Sequence, residues 1–407
     1  MGLALRKLIV MEEKKKKLYP MRFVPIDIEH PWGKERIAAA DLGVEDSMVA
    51  EGWLAENSIG DIMETYLERV VGEGVYGYYG RQFPVAVKFL DIKGEMPVHV
   101  HPDDEVAEQR YDALGGKELW YITEAEDDAK IFLGFGSEVS AQELYESCLE
   151  GSVRKLMKVI RPKKGDVLVI EPGIVHSASG HLKIAVVKES SELPFRLSSG
   201  PEEETESACE HLAEAMDFIV YRPYAVPEGT NTDNAADDHG KGAGRNDVAA
   251  RLLESPEFDV SKLVLKDPIH SSSEQETGYI LYIGIEGEAS FQIPVTGPEG
   301  KKGMEEYRLK KGEVMLVPAE VTDFFALPVD RDTVLLEVTA GKRDDTDEYI
   351  DPDTEPFLEG EDYEGLEDEE MPVQDNIRAE GLDGSAGTGR RDGDIGGPSG
   401  RHNMNWN

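Results

Sequence analysis

From Met21 to about Gly200, apolar residues come in short runs: Phe83–Leu90 (FPVAVKFL), Met157–Ile160, Val167–Ile170 and Ile184–Val187. Gly, Pro and charged turns separate them, a punctuation that predicts a β-sandwich or barrel. Helical spacing interrupts the strands at Asp103–Ala113 and Ser140–Leu149, and Cys209–Ile219 (CEHLAEAMDFI) follows as a further helix. Residues 225–250 are polar and glycine-rich, as a linker would be. Strand-like runs resume at Phe258–Leu265 and continue to about Glu337. Beyond Asp344 the chain is acidic, then glycine-rich, with too few apolar residues to bury a core, so disorder is expected there.

An internal repeat sharpens this picture. Lys163–Ser177 reads KKGDVLVIEPGIVHS and Lys310–Phe324 reads KKGEVMLVPAEVTDF. Each gives Lys-Lys-Gly-acid-Val, an apolar strand and a Pro-containing turn, so two similar barrels are expected. In this register His176 falls on Asp323, so only the first barrel carries the histidine. The expected chain is mainly β: a tail over 1–20, a first barrel over 21–200, a helix and polar linker over 201–250, a second barrel over 251–343 and an acidic tail over 344–407.

Charge narrows the partners. The 407 residues hold 43 Lys+Arg against 83 Asp+Glu, a net charge of −40. Nucleic acid and anionic membranes are poor partners for such a surface. A small phosphorylated substrate is compatible, because a few local cations can reverse the field inside a cleft. Two cysteines, Cys148 and Cys209, allow no disulfide framework or Cys-based zinc module and agree with a reducing cytoplasm. No apolar run approaches the ~20 residues of a membrane span. The apolar piece before the N-terminal lysine run has the wrong order for a signal peptide, and Met11 and Met21 leave the start site open. Oligomeric state is not legible.

Candidate chemistry concentrates in MPVHVHPDDE, residues 96–105. On a strand, His99 and His101 point to one face. Glu118 follows in GGKELWY, and His176 closes the Pro172-Gly173 turn. Three imidazoles and a carboxylate suit a divalent transition metal with positions left open for substrate. His30, His181, His211, His239, His270 and His402 have no such setting and are expected to be solvated or packed. Asp103 and Asp104 suit the first turn of the helix that follows.

Gly94, His99-Val-His101, Glu118 and Gly165-(x)6-Pro172-Gly173-(x)2-His176 resemble the two motifs of the cupin barrel. More narrowly, residues 83–105, 115–135, 163–177 and 190–197 resemble the class I mannose-6-phosphate isomerases, and the resemblance continues through 210–219 and 258–265, covering roughly 21–340. That resemblance implies two jelly-roll barrels and interconversion of mannose 6-phosphate and fructose 6-phosphate with one bound zinc. It implies His99, His101, Glu118 and His176 as metal ligands, Arg196 as the active-site arginine, and Lys88 and Lys117 as candidates for phosphate binding or catalysis. Lys117 directly precedes the glutamate, where the family has its lysine two residues before. Elsewhere the chain departs further: His99 replaces a glutamine, Pro97 a serine, Val186 an acid and Glu192 an aspartate. Three histidines and a glutamate are also the set of many iron, manganese or nickel cupins, so another metal-dependent cupin enzyme stands beside the isomerase reading, and Val186 and Pro97 support a non-catalytic sugar-phosphate binder as a third.

Overall fold

The computed structural model describes residues 16–43, 46–198, 212–225, 249–272, 278–296 and 301–342. The lysine run up to residue 15, most of the 225–250 segment, His211, His239, His402 and the acidic tail lie outside them. The described chain is mainly β, and its strands form four antiparallel sheets.

Two sheets make the first sandwich. The inner one has six strands, at its centre Val85–Ile92, Leu182–Glu189 and Glu118–Ala125. The outer one has five: Phe195–Ser198, Val98–Val100, His176–Ser179, Lys130–Phe135 and Met157–Ile160, in that order. Trp120, Ile122 and Ile184 of the inner sheet pack with Ile131, Leu133 and Ala178 of the outer sheet in one core. The second sandwich pairs a seven-stranded inner sheet with a four-stranded outer sheet, and Tyr282, Phe291 and Phe324 fill the space between them.

The two inner sheets meet back to back. Val85, Val87, Leu119 and Val187 from one share a core with Val260, Leu281, Leu316 and Val338 from the other. A sheet covered on both faces reads as a continuous apolar run rather than an alternating one. That is why FPVAVKFL stands out in the sequence, and why Lys88 is conspicuous within it. The strand Met21–Val24 pairs with Val314–Val317 of the second sandwich, so the chain begins by tying the two together.

Most strand expectations hold to within a few residues. Helices occupy Asp104–Tyr111 and Ala141–Leu149. Only Leu212–Ala215 of the Cys209–Ile219 stretch is an α-helix among the described residues. The helical run through Ile59–Tyr66, Glu68–Val71 and Glu73–Tyr79 went unread in the sequence. Ser58 and Asp61 form a capping box at its start, a local signal that would have marked it.

The repeat is real but slips by one residue near its end. Val167–Ile170 and Val314–Val317 are equivalent strands. After the turn, His176 and Ala178 face inward in the first copy, whereas Phe324 and Ala326 do so in the second. A one-residue slip moves every side chain to the other face. The inward counterpart of His176 is therefore Phe324, not Asp323, which is exposed and bonded to His270 at 2.7 Å.

Candidate metal centre

Two elements of the outer sheet bring the histidines together. His99 lies in Val98–Val100, the second strand of the sheet, and is paired in register with His176 on one side and Arg196 on the other. Directly opposed residues in an antiparallel pair project to the same face. Arg196, His99 and His176 thus form one row. His101 comes just past the strand end. Its Cβ lies where Gly116 would carry one, only 2.1 Å away, so Gly116 has to be glycine. Gly173, at φ +78°, makes the turn before His176 and presses against the Phe218 carbonyl.

The HPDD run closes the loop between the histidines and Glu118. Asp103 accepts from the Val106 N–H at 2.9 Å and caps the helix Asp104–Tyr111. Asp104 accepts from the Gly115 N–H at 2.8 Å, and the Pro102 carbonyl from the Gly116 N–H at 3.1 Å. These bonds return the chain to Glu118 on the facing inner sheet.

All three histidines are buried, and their donor nitrogens lie within 4.8 Å of one another. Each Nδ1 faces a backbone carbonyl: Pro97 for His99 at 3.2 Å, Leu193 for His101 at 3.2 Å and Ile174 for His176 at 2.9 Å. A proton held at Nδ1 leaves each Nε2 lone pair unspent, the arrangement of metal-ligating imidazoles. The Nε2 atoms of His101 and His176 are buried without a hydrogen-bond partner. Leaving such atoms orphaned costs free energy unless something binds them. Burial holds the imidazoles of His99 and His176 below their ordinary range, His176 at about 4, so they are neutral and ready to ligate at neutral pH. The residues present therefore fit a divalent metal ion.

Glu118 stands against this triad. Its Oε1 lies 3.2 Å from His101 Nε2 and its Oε2 3.9 Å from His176 Nε2. Trp120 Nε1 donates to Oε2 at 2.7 Å and orients the carboxylate. Burial opposes ionisation of Glu118, but His101, Lys188 and His176 outweigh it, and its carboxyl sits well below the usual range. The mutually close donor set comprises the three histidines, with Glu118 beside it.

The three predicted cations are placed differently. Arg196 shares the row of His99. Lys88 faces the same interior, but its ammonium is spent on Glu35 at 2.8 Å and on Glu192. Lys117 lies away from the triad. Strand alternation turns it to the face opposite Glu118, where it binds Glu257 at 2.8 Å and Glu171 at 3.2 Å in the seam between the sandwiches. Val186 is buried between Lys88 and Trp120 on the neighbouring strands.

Sequence reasoning missed Lys188, Glu35 and Trp120 at this site. Lys188 lies in register with Glu118, and its Nζ is 3.6 Å from Glu118 Oε1 and 3.7 Å from Glu192 Oε1. A lone charge inside an apolar strand run was the available signal, and it applied to Lys188 as much as to Lys88. One other group of three donors exists among the described residues, Glu126, Asp128 and His181. It is exposed, and Asp128 already occupies His181 Nδ1 at 2.9 Å. No described helix is long and apolar enough to cross a membrane.

No protein-family model matches the chain. It is 24% identical over 324 residues to the mannose-6-phosphate isomerase of Bacillus subtilis, covering 75% of this chain and 95% of that one. It is also 24% identical over 240 residues to the mannose-6-phosphate isomerase of Streptococcus mutans, covering 58% and 68%. Among solved structures, a mannose 6-phosphate isomerase from Bacillus subtilis superimposes with a TM-score of 0.63 at 21% identity, over 79% of this chain and 99% of that one. A phosphomannose isomerase variant from Salmonella typhimurium does so with a TM-score of 0.59 at 13% identity, over 80% and 100%.

Proposed function

We propose, from the similarity in sequence and fold to mannose-6-phosphate isomerases, that this chain is a metal-dependent aldose–ketose isomerase that interconverts mannose 6-phosphate and fructose 6-phosphate. The observation that carries this is the buried cluster of His99, His101 and His176, with the Nε2 atoms of His101 and His176 lacking a hydrogen-bond partner, beside the Glu118 carboxylate. Zinc, one ion per chain, is the metal we assign, held by His99, His101 and His176 with Glu118 as the fourth ligand.

Isomerisation moves a proton between C1 and C2 through an enediol, with negative charge developing on the sugar oxygens. A bound divalent metal supplies Lewis acidity toward those oxygens, worth several kcal/mol. The chain's own residues do the rest. Backbone carbonyls at each Nδ1 fix the imidazole rings, and Trp120 fixes Glu118. Arg196, in the row of His99 and His176, is placed to clamp a substrate oxygen. Lys88 holds Glu35 and Glu192 in place rather than serving as the phosphate handle, because two carboxylates already meet its charge.

Formation of fructose 6-phosphate, followed in a coupled assay across zinc, iron, manganese and nickel, tests the reading. Turnover with zinc supports it. A pure, zinc-loaded sample that makes no fructose 6-phosphate removes it. A second reading, different metal chemistry on the same fold, rests on the third imidazole at His99. Iron as the dominant metal, with oxygen consumed, would select it.

A further inference from the structure

Lys188 is the one strongly buried charge at this site that the proposed mechanism does not use. Its strand sets it directly across from Glu118 and therefore on the interior face. Its ion pairs, at 3.6 and 3.7 Å, are longer than a good charge-assisted hydrogen bond of ~2.7–2.9 Å. Lys88, by comparison, reaches Glu35 at 2.8 Å. Lys188 thus keeps hydrogen-bonding capacity beside the donor atoms of the triad.

The surroundings give that capacity a purpose. Lys88 and Lys188 stand among the carboxylates of Glu35, Glu118 and Glu192. A divalent ion held by the triad and Glu118 would compete with Lys188 for the Glu118 carboxylate. Val186, two residues earlier on the same face, is apolar and offers nothing to a sugar oxygen. Val186 and Lys188 lie in register with Trp120 and Glu118 on the neighbouring strand.

We propose that the Lys188 ammonium is a catalytic hydrogen-bond donor to the anionic oxygen that develops on the substrate beside the metal. The inference rests on the isomerase reading for the identity of that oxygen. Lys188 acts as a donor only and forms no covalent bond. It contributes by stabilising charge that is larger in the enediolate than in the sugar, so it acts on kcat rather than on KM.

The test compares wild type with Lys188→Met, close in shape but without charge, and with Lys188→Arg. Metal per chain, melting temperature, kcat, KM and calorimetric affinity for a phosphorylated sugar hydroxamate are read for each. The hydroxamate carries an anionic oxygen where the enediolate does. Lys188→Met is expected to keep one metal per chain and its KM, and to lose kcat and hydroxamate affinity by ~10²-fold, the scale of removing one oxyanion donor. Lys188→Arg recovers part of both. Unchanged kcat and hydroxamate affinity in a metal-loaded Lys188→Met overturn the proposal, as does a loss traced to lost metal or lost fold. If wild type makes no fructose 6-phosphate, the isomerase reading falls, yet the hydroxamate comparison still decides Lys188. A wild type that binds no hydroxamate overturns Lys188 as well.

Discussion

The two sandwiches share a frame and differ in what they put inside it. Strand register makes Ile280 the counterpart of Glu118, Tyr282 of Trp120, Thr339 of Lys188, Glu337 of Val186 and Ser261 of Lys88. Phe324 stands where His176 does. The first interior is thus polar and charged, whereas the second is plugged by Tyr282, Phe291 and Phe324, with ring centroids 4.8 to 6.2 Å apart. Its one inward carboxylate, Glu337, accepts from the Tyr282 hydroxyl at 2.7 Å and is spent there. Aromatic packing of this kind is worth stability, while orphaned imidazoles and buried charges cost it. The molecule divides the labour: one sandwich carries an expensive site and the other supplies packing, through the apolar seam they share.

Importing the second interior into the first should have the largest effect. His176→Phe is expected to drop bound metal from one per chain toward none, by elemental analysis. Turnover should fall by at least ~10³-fold, because the metal supplies several kcal/mol of the catalysis. Phe291→Ala, in the second sandwich, should do the reverse. Urea unfolding is expected to show a loss of about 3–5 kcal/mol, with metal content and kcat per folded chain unchanged.

A pH test separates the two interiors next. His176 is held at about 4 by burial, against an ordinary 6.5. The unfolded chain takes up this proton at higher pH than the folded one. Stability of the metal-free protein is therefore full above about pH 6.5 and falls as pH drops toward 4. The scale is ~3 kcal/mol, at 1.36 kcal/mol per unit. His176→Phe should flatten that part of the profile; an unchanged slope would locate the acid sensitivity elsewhere. The smallest effect is expected from Lys117→Met. Loss of its bonds to Glu171 and Glu257 should cost about 1.5–3 kcal/mol of stability and leave kcat within about threefold. A collapse of kcat with the fold intact would return Lys117 to the catalytic machinery.

Much of this was legible beforehand, for identifiable reasons. Inner strands buried on both faces read as continuous apolar runs, so Val85–Ile92 and Phe258–Leu265 announced themselves. The spacing of His99 and His101 on one strand, and the Pro172-Gly173 turn before His176, named the triad. What sequence spacing could not supply was facing. Lys117 and Lys188 are both lysines near Glu118, one beside it in sequence and one across the sheet. Only the strand pairing shows that the distant one faces the same interior as Glu118 and the histidine triad. The same limit misassigned Asp323, because a slip of one residue after the turn is invisible when two segments are simply laid side by side.

The isomerase centre proposed for the first sandwich stands or falls with its metal. Zinc is added stepwise to the metal-stripped full chain, and fructose 6-phosphate formation is measured at each step. Turnover is expected to rise in proportion to added zinc and to level off at one ion per chain, with none in the stripped protein. Turnover without metal, or a fully loaded chain that converts no mannose 6-phosphate, overturns the proposal.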